Sequence, residues 1–223
     1  MQTFDLIVIG SGPAGQRAAI QAAKSGKRVA LVEKVECMGG VCINTGTIPS
    51  KTMREAVLHL SGYQYQNVYG VNYRVKEKIS MGDLAFRVQH VIRTEIDVTI
   101  SQLNRNNIQV LTGYASFLDP HTVRVTSALG AADFQAQQFI IATGTKPAAS
   151  PKVPINGRTI INSDQVLDIP QIPRTLIVVG GGVIGVEYTC MFATLGVRVI
   201  LIEKTGPGAV LSPWGTLRNV FFV

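Results

Sequence analysis

The chain has 223 residues and a net charge of +7, with 46% hydrophobic and 16% charged residues. This length predicts one or two domains, and the composition excludes a disordered chain. No apolar run reaches the roughly 20 residues that span a bilayer, and the N-terminus lacks the pattern of a secretory signal. We therefore expect a cytoplasmic protein without membrane association.

The positive charge does not indicate nucleic-acid binding. Lysine and arginine are scattered along the chain, and no basic face interleaved with aromatic residues is present. Solvated side chains and anionic cofactors explain such a charge. The three cysteines, an odd number, do not suggest the disulfide framework of a secreted protein.

The N-terminal segment has the pattern of a βαβ unit. Residues 6–9 form a short apolar run that is typical of a buried parallel strand. An alanine-rich helical stretch ends at Gly26, and a second apolar run over residues 29–32 leads to Glu33. The turn between the first strand and the helix consists of Gly10, Ser11, Gly12, Pro13, Ala14 and Gly15.

Each glycine of this turn has its own physical role. Gly10 permits the tight turn, Gly12 lets the backbone approach a pyrophosphate, and Gly15 lets the helix pack against the strand. The pyrophosphate would lie at the helix N-terminus, where free N–H groups and the helix dipole favour anions. Glu33 stands where a carboxylate accepts a hydrogen bond from a ribose hydroxyl. The segment therefore predicts a dinucleotide site.

The same pattern returns near the C-terminus with a constant offset. Four pairs of equivalent residues are each 170 positions apart: Leu6 and Leu176, Gly10 and Gly180, Gly26 and Gly196, and Glu33 and Glu203. The second turn offers Gly180, Gly182, Gly185 and Glu203 as cofactor-binding residues. The chain thus contains two dinucleotide-binding openings, which predict two nucleotide sites.

The residues between the two openings predict helices and a small antiparallel sheet. We expect helices over 51–65 and 83–107, the second with one apolar stripe, a β-meander over 108–138, and a buried strand over 139–142. Residues 162–164 are typical of a helix cap. The predicted fold class is α/β. It comprises two Rossmann-like domains that bind FAD or NAD(P), with a small β-meander insertion. The domains are expected at 1–150 and 151–223.

The segment over residues 39–51 carries a thiol, a glycine-rich approach and a lysine. Together with the two glycine turns, the two acidic residues and the run Ile-Ile-Ala-Thr-Gly at 140–144, it resembles the two-dinucleotide-binding-domain flavoprotein family. The resemblance extends from residue 1 to about residue 204. It implies FAD in the first site and a nicotinamide cofactor, NAD or NADP, in the second.

The disulfide-reducing members of this family carry two cysteines, spaced Cys-x4-Cys, before a Pro-Ser-Lys sequence. Here Cys42 occupies the first position and Thr47 the second. Cys37 has the same spacing from Cys42, but it precedes the Gly39-Gly40 pair and does not align with the missing cysteine. The resemblance therefore favours the transhydrogenase branch, Si-specific in its hydride transfer, which passes a hydride between NADPH and NAD⁺ through FAD.

The resemblance also implies particular site residues. Lys51 and Glu187 would form an ion pair that holds positive charge near the flavin and ties the domains together. A lysine in the first turn of a helix opposes the helix dipole, so its placement there suggests a specific role. The FAD-binding candidates beyond the glycine turn are Glu33, Lys34, Val35, Glu36, Cys37, Met38, Gly39, Gly40, Val41, Cys42, Lys51, Gly113, Tyr114, Ala115, Ala142, Thr143 and Gly144. No metal site is predicted.

Two features depart from the family pattern. Glu203 suits the ribose 2′-hydroxyl of NAD and would repel the 2′-phosphate of NADP unless Arg198 or Lys204 offsets it. After Lys204 the sequence no longer follows the family. We therefore expect an incomplete FAD domain, an incomplete second domain and no dimerisation domain, with the full-length form a homo-oligomer.

Two alternative functions remain open at this point. A dihydrolipoamide dehydrogenase-like disulfide reductase is opposed by Thr47. A truncated, inactive FAD-binding fragment is suggested by the departure after Lys204. No histidine supports either alternative, because His59, His90 and His121 match no catalytic position of the family.

Overall fold

The computed structural model describes residues 1–34, 37–147 and 153–203. The chain forms two compact units. The first unit comprises Met1–Pro49 and His90–Ala148, and the second comprises Ser50–Gln89 and Ala149–Val223. The expected boundary near residue 150 lies outside the described residues, so the assignment of two cofactor domains stays a prediction.

The first unit contains a six-stranded sheet in the order β3-β2-β1-β6-β5-β4. Its strands are β1 (Gln2–Ile9), β2 (Val29–Glu33), β3 (Gln109–Thr112), β4 (Tyr114–Asp119), β5 (Thr122–Ser127) and β6 (Gly130–Ile141). The strands β3, β2, β1 and β6 are parallel, and β4, β5 and β6 form an antiparallel meander. The predicted meander began too early, at residue 108, because β3 pairs in parallel with β2. The predicted α/β fold class is confirmed.

Of the described α-helices, one lies between β1 and β2, four lie between β2 and β3, and one lies in the C-terminal segment. They are α1 (Pro13–Lys24), α2 (Gly40–Asn44), α3 (Thr47–Leu60), α4 (Gln66–Tyr69), α5 (Met81–Arg105) and α6 (Val183–Thr194). None of them is long and apolar enough to cross a membrane. The predicted apolar stripe of α5 is confirmed, since Leu84, Val88 and Leu103 are fully buried.

Over residues 6–8 of β1 the side chains alternate between the two faces of the first sheet, as the period of two in a strand requires. On one face Leu6, Val8 and Leu31 pack with Ala19 of α1 and Leu103 of α5. The other face presents a second cluster of buried apolar side chains, namely Phe4, Ile7, Ala30, Val32, Val123, Val125 and Ala136.

The expectation of a separate buried strand over residues 139–142 is wrong. These residues belong to the C-terminal part of β6, which pairs with β5 near Gly130 and with β1 up to Ile141. One strand serves both the meander and the parallel sheet, so no turn interrupts it. Its end is not buried either, because 68% of the Ile141 surface is exposed.

The second unit repeats the βαβ arrangement of the first. Strand β7 (Thr175–Val179) is followed by α6 and by β8 (Arg198–Ile202), and the two strands pair in parallel. Helices α1 and α6 have the same length and begin 170 positions apart, as the repeat predicts. A 3₁₀ helix over Ser163–Asp168 starts at Asn162 with a capping box, which confirms the predicted cap.

Candidate functional site

The first glycine turn is so tight that two of its glycines have no room for a side chain. Gly10 has a left-handed backbone (φ +108°), and a Cβ built on it would lie 2.2 Å from the carbonyl oxygen of Ala142. A Cβ on Gly15 would lie 1.9 Å from the carbonyl oxygen of Gly10. The turn therefore packs helix α1 directly onto the end of β1.

Gly12 differs, because a Cβ built on it would meet nothing within 4 Å. It is the N-cap of α1, its φ of −64° and ψ of 175° are extended, and no side chain caps the helix. The first turn of α1 carries no acidic residue. An uncapped helix N-terminus beside open space is the place where an anionic pyrophosphate fits. This cradle suits the dinucleotide that the sequence predicts.

A buried hydrogen-bond chain joins the glycine turn to Glu33 and to the next helix. Glu33 Oε2 accepts hydrogen bonds from the Ser11 backbone N–H (2.9 Å) and the Ser11 hydroxyl (2.6 Å). The Ser11 hydroxyl oxygen in turn accepts a hydrogen bond from the backbone N–H of Gly39 (2.9 Å). Sequence reasoning assigned Glu33 to a ribose hydroxyl and missed this link to Ser11. The ribose contact itself stays a prediction.

The segment after Glu33 folds back onto the glycine turn. A Cβ on Gly40 would lie 3.0 Å from the Cα of Gly12, so α2 begins beside the pyrophosphate cradle. The Asn44 side-chain amide donates to the carbonyl oxygens of Met38 and Gly40, which holds this helix start in place. Of the remaining candidates here, Lys34 and Val41 are exposed, and Val35 and Glu36 lie outside the described residues.

The three cysteines are free. Cys37 is exposed and Cys42 is half-buried, so the two residues that share the family spacing form no disulfide. Thr47 is an exposed residue at the start of α3. No group of three or more metal-ligating side chains occurs in the described ranges.

Two further candidate segments follow β3 and β6 of the same sheet. The Gly113 N–H donates to the carbonyl oxygen of Glu33, and the Ala142 N–H donates to that of Ile9, both at 2.8 Å. Tyr114, Thr143 and Gly144 are exposed, and Ala115 is half-buried. Ligands of parallel sheets bind at the carboxyl ends of the strands. The first unit therefore gathers its candidates at the edge where this rule places a ligand.

The second glycine turn has the same geometry. Gly180 is left-handed (φ +110°), and a Cβ on Gly185 would lie 2.0 Å from the Gly180 carbonyl oxygen. Gly182 is the uncapped N-cap of α6, and a Cβ there would meet nothing within 4 Å. Glu203 accepts a hydrogen bond from the backbone N–H of Gly181, as Glu33 does from Ser11. The second unit therefore offers the same kind of anion cradle.

Lys51 and Glu187 form an ion pair in the second unit. The Lys51 Nζ lies 2.7 Å from Glu187 Oε1, with 60% of the lysine side chain exposed but only 15% of the glutamate side chain. The expectation that Lys51 lies in the first turn of its helix is wrong. Helix α3 begins at Thr47 and Lys51 is its fifth residue. Pro49 is tolerated near the helix start, because the first-turn N–H groups have no intrahelical partner.

Three residues beside this pair were not found by sequence reasoning. Ser50 donates a hydrogen bond from its hydroxyl to Glu187 Oε2 at 3.2 Å. Burial, with the negative charges of Glu187 and Asp164, raises the pKa of the Tyr188 phenol to about 12. Burial also raises the pKa of the Cys190 thiol. Only Ser50 had a signal in the sequence, since it precedes Lys51 in the Pro-Ser-Lys run.

Comparison with known proteins identifies the family. The family model described as pyridine nucleotide-disulphide oxidoreductase matches residues 4–207. The chain belongs to this family. The resemblance that the two glycine turns and the Pro-Ser-Lys segment indicated is confirmed.

Several curated proteins similar to this chain are named soluble pyridine nucleotide transhydrogenase. The soluble pyridine nucleotide transhydrogenase of Mycobacterium tuberculosis is 48% identical over 206 residues, which is 92% of this chain and 44% of the relative. That of Chromohalobacter salexigens is 40% identical over 204 residues, or 91% of this chain and 44% of the relative. The chain thus spans less than half of the length of these relatives.

Solved structures of the family have the same fold. The HOCl-induced flavoprotein disulfide reductase RclA from Escherichia coli, solved as a Cu(II) complex, aligns with a TM-score of 0.76 and 30% identity. That alignment covers 91% of this chain and 43% of RclA. LpdA from Mycobacterium tuberculosis aligns with a TM-score of 0.80 and 26% identity, over 91% of this chain and 45% of LpdA.

Proposed function

We propose that the protein carrying this chain is a flavoprotein oxidoreductase that transfers a hydride between NADPH and NAD⁺ through FAD. It would be a soluble, Si-specific pyridine nucleotide transhydrogenase. The observation that carries this proposal is the pair of uncapped glycine cradles, one at the start of α1 and one at the start of α6. Two such cradles suit two dinucleotides, and hydride transfer between two bound dinucleotides is the simplest use of both.

The chain's own residues bind and orient the cofactors. In the first unit the α1 N-terminus would hold the FAD pyrophosphate, while the Ser11–Glu33 link keeps the glycine turn closed around it. In the second unit the α6 N-terminus would hold the nicotinamide cofactor, with Glu203 beside its ribose. FAD, when bound, supplies the ability to accept and return a hydride.

The absence of a thiol pair favours transhydrogenation over disulfide reduction. Thr47 stands where the second cysteine of a disulfide reductase would be, and a hydroxyl forms neither a disulfide nor a thiolate. Cys42 and the other two cysteines are free. Hydride transfer between nucleotides needs no such pair, so the substitution is compatible with function.

Several finer assignments belong to the same proposal. The FAD domain would comprise residues 1–150 and the nicotinamide domain residues 151–223. The full-length form would be a cytoplasmic homo-oligomer without nucleic-acid partners. Lys51, paired with Glu187, would hold positive charge close to the flavin as the flavin gains electrons.

A donor comparison tests the proposed reaction. We expect the purified, FAD-loaded protein to show a bound-flavin absorbance spectrum that NADPH and NADH each bleach under anaerobic conditions, and that NAD⁺ restores. Stopped-flow absorbance measures both steps. A flavin that NADPH leaves oxidised contradicts transhydrogenation, and a thiolate–flavin charge-transfer band on partial reduction supports a disulfide reductase instead. A protein that retains no flavin supports the inactive fragment.

Replacement of Lys51 tests the role of the ion pair. We expect Lys51→Met to slow flavin reduction by about tenfold or more while FAD retention changes little, because a positive charge near the flavin favours the reduced form. Lys76→Met is a matched control, since Lys76 also forms an exposed ion pair, with Asp83 at 2.6 Å. Equal losses of reduction rate and FAD retention in Lys51→Met would refute the proposed role.

A further inference from the structure

Two consecutive residues of α3 hold the two oxygens of one carboxylate. The Ser50 hydroxyl donates to Glu187 Oε2 at 3.2 Å, and the Lys51 ammonium donates to Oε1 at 2.7 Å. All three residues belong to the second unit, so this arrangement is internal to one compact part of the chain. Neighbouring residues of a helix project about 100° apart. The side chains of Ser50 and Lys51 can both reach the Glu187 carboxylate only because this carboxylate lies between the directions in which they project.

The two contacts differ in how firmly they fix the carboxylate. Lys51 is a long, flexible side chain that is 60% exposed, and such exposed ion pairs hold their geometry weakly. Ser50 has a short side chain with one rotatable carbon bond and is only 7% exposed. Its hydroxyl is therefore placed by the backbone of α3. The buried serine, rather than the exposed lysine, is the contact that fixes the orientation of Glu187.

The Ser50 contact also links distant parts of the chain. Serine side chains inside helices commonly bond to the carbonyl oxygen one turn earlier, which serves only the local backbone. Ser61, directly after the end of α3, makes such a local bond to the carbonyl oxygen of Leu58, three residues earlier. Ser50 instead reaches a residue 137 positions later in the sequence. A local role in the helix does not account for that contact.

We propose that Ser50 is a positioning residue: by tying Oε2 of Glu187, its hydroxyl turns Oε1 toward Lys51 and so determines where the Lys51 ammonium group stands. The part of this inference that concerns hydride transfer rests on the proposed function. The positioning of Lys51 does not, because it is a property of three side chains in the absence of any cofactor.

Competitive labelling of lysine amines tests the positioning directly. The 223-residue chain is treated with trace acetic anhydride, and the acetylation of Lys51 relative to Lys24 is measured by mass spectrometry. We expect Ser50→Ala to raise Lys51 labelling about threefold or more, since a released ammonium group is less shielded. Ser50→Thr, which keeps the hydroxyl, should show the same low Lys51 acetylation as the parent. Ser61→Ala removes another buried serine hydroxyl and should leave the Lys51 acetylation unchanged.

Glu187→Ala, which removes both acceptor oxygens, sets the labelling expected for a fully released Lys51. If Lys51 is labelled in Ser50→Ala as in the parent but faster in Glu187→Ala, the proposal is overturned. Equal labelling of Ser50→Thr and Ser50→Ala also overturns it, since the hydroxyl would then be irrelevant. Should Ser50→Ala fail to fold by circular dichroism, Ser50→Cys is measured in its place, because a thiol keeps the volume and donates only weakly.

Flavin reduction separates this inference from the proposed function. With saturating NADPH we expect Ser50→Ala to lower the reduction rate about threefold to tenfold without changing the NADPH concentration that gives half the maximal rate. Suppose that replacing Ser50 changes the acetylation of Lys51, but the protein transfers no hydride. That result would refute the proposed function and leave the positioning role of Ser50 intact. Normal reduction in Ser50→Ala together with unchanged labelling would refute the positioning alone.

Discussion

Gly15→Ala should abolish stable folding of the first unit or lower its free energy of unfolding by about 3 kcal/mol or more. The added Cβ would stand 1.9 Å from the carbonyl oxygen of Gly10, and both groups belong to the backbone. Neither can rotate away, so α1 would have to move off β1. Thermal unfolding followed by circular dichroism measures the loss, which corresponds to a fall in Tm of roughly 6–12 °C.

Gly12→Ala is the matched variant, three residues away in the same turn. Its Cβ would meet no protein atom within 4 Å, and its extended backbone suits alanine. We expect its stability to stay within about 0.5 kcal/mol of the parent. FAD affinity should nevertheless fall by about tenfold or more, which is about 1.4 kcal/mol, because the methyl group occupies the space of the pyrophosphate. Flavin fluorescence titration measures that affinity.

The second glycine turn provides an internal replicate of the same experiment. A Cβ on Gly185 would lie 2.0 Å from the Gly180 carbonyl oxygen, whereas one on Gly182 would meet nothing. We expect Gly185→Ala to destabilise the chain and Gly182→Ala to weaken only nicotinamide-cofactor binding. A Gly12→Ala variant that binds FAD as tightly as the parent would contradict the assignment of the α1 cradle to a pyrophosphate.

The repeated βαβ framework was predictable because local rules determine it. Apolar runs ending in glycine turns define β1 and β7. The constant offset of 170 positions predicts the start of α6 from the start of α1. The steric need of Gly15 follows from the same local geometry, because its Cβ would meet the carbonyl oxygen of Gly10. Sequence spacing alone therefore located both anion cradles.

Other features depend on contacts between distant residues. The bond from Ser50 to Glu187 joins residues far apart in sequence, and no periodic pattern specifies it. The start of α3 at Thr47 was missed, although proline is tolerated in the first turn of a helix. The continuity of β6 was missed because one strand pairs with β5 at one end and with β1 at the other.

Glu33 shows how a residue identified for one purpose can serve a second one. The sequence assigned its carboxylate to a ribose hydroxyl, but the structure shows the carboxylate accepting two hydrogen bonds from fully buried Ser11. Both roles need an oxygen acceptor at the end of β2. The structural role predicts a loss of stability even without FAD, which the ribose role does not.

Glu33→Ala should therefore lower the free energy of unfolding of the FAD-free chain by about 3 kcal/mol, because two buried donors of Ser11 lose their acceptor. Glu33→Gln should cost less, since its amide oxygen can still accept from Ser11. Glu55→Ala, which removes an exposed glutamate of α3, should change the stability by less than about 0.5 kcal/mol. Urea unfolding in the absence of flavin measures all three variants. If Glu33→Ala matches Glu55→Ala in the FAD-free chain but loses FAD, the carboxylate serves the ribose alone and the Ser11 link contributes no stability.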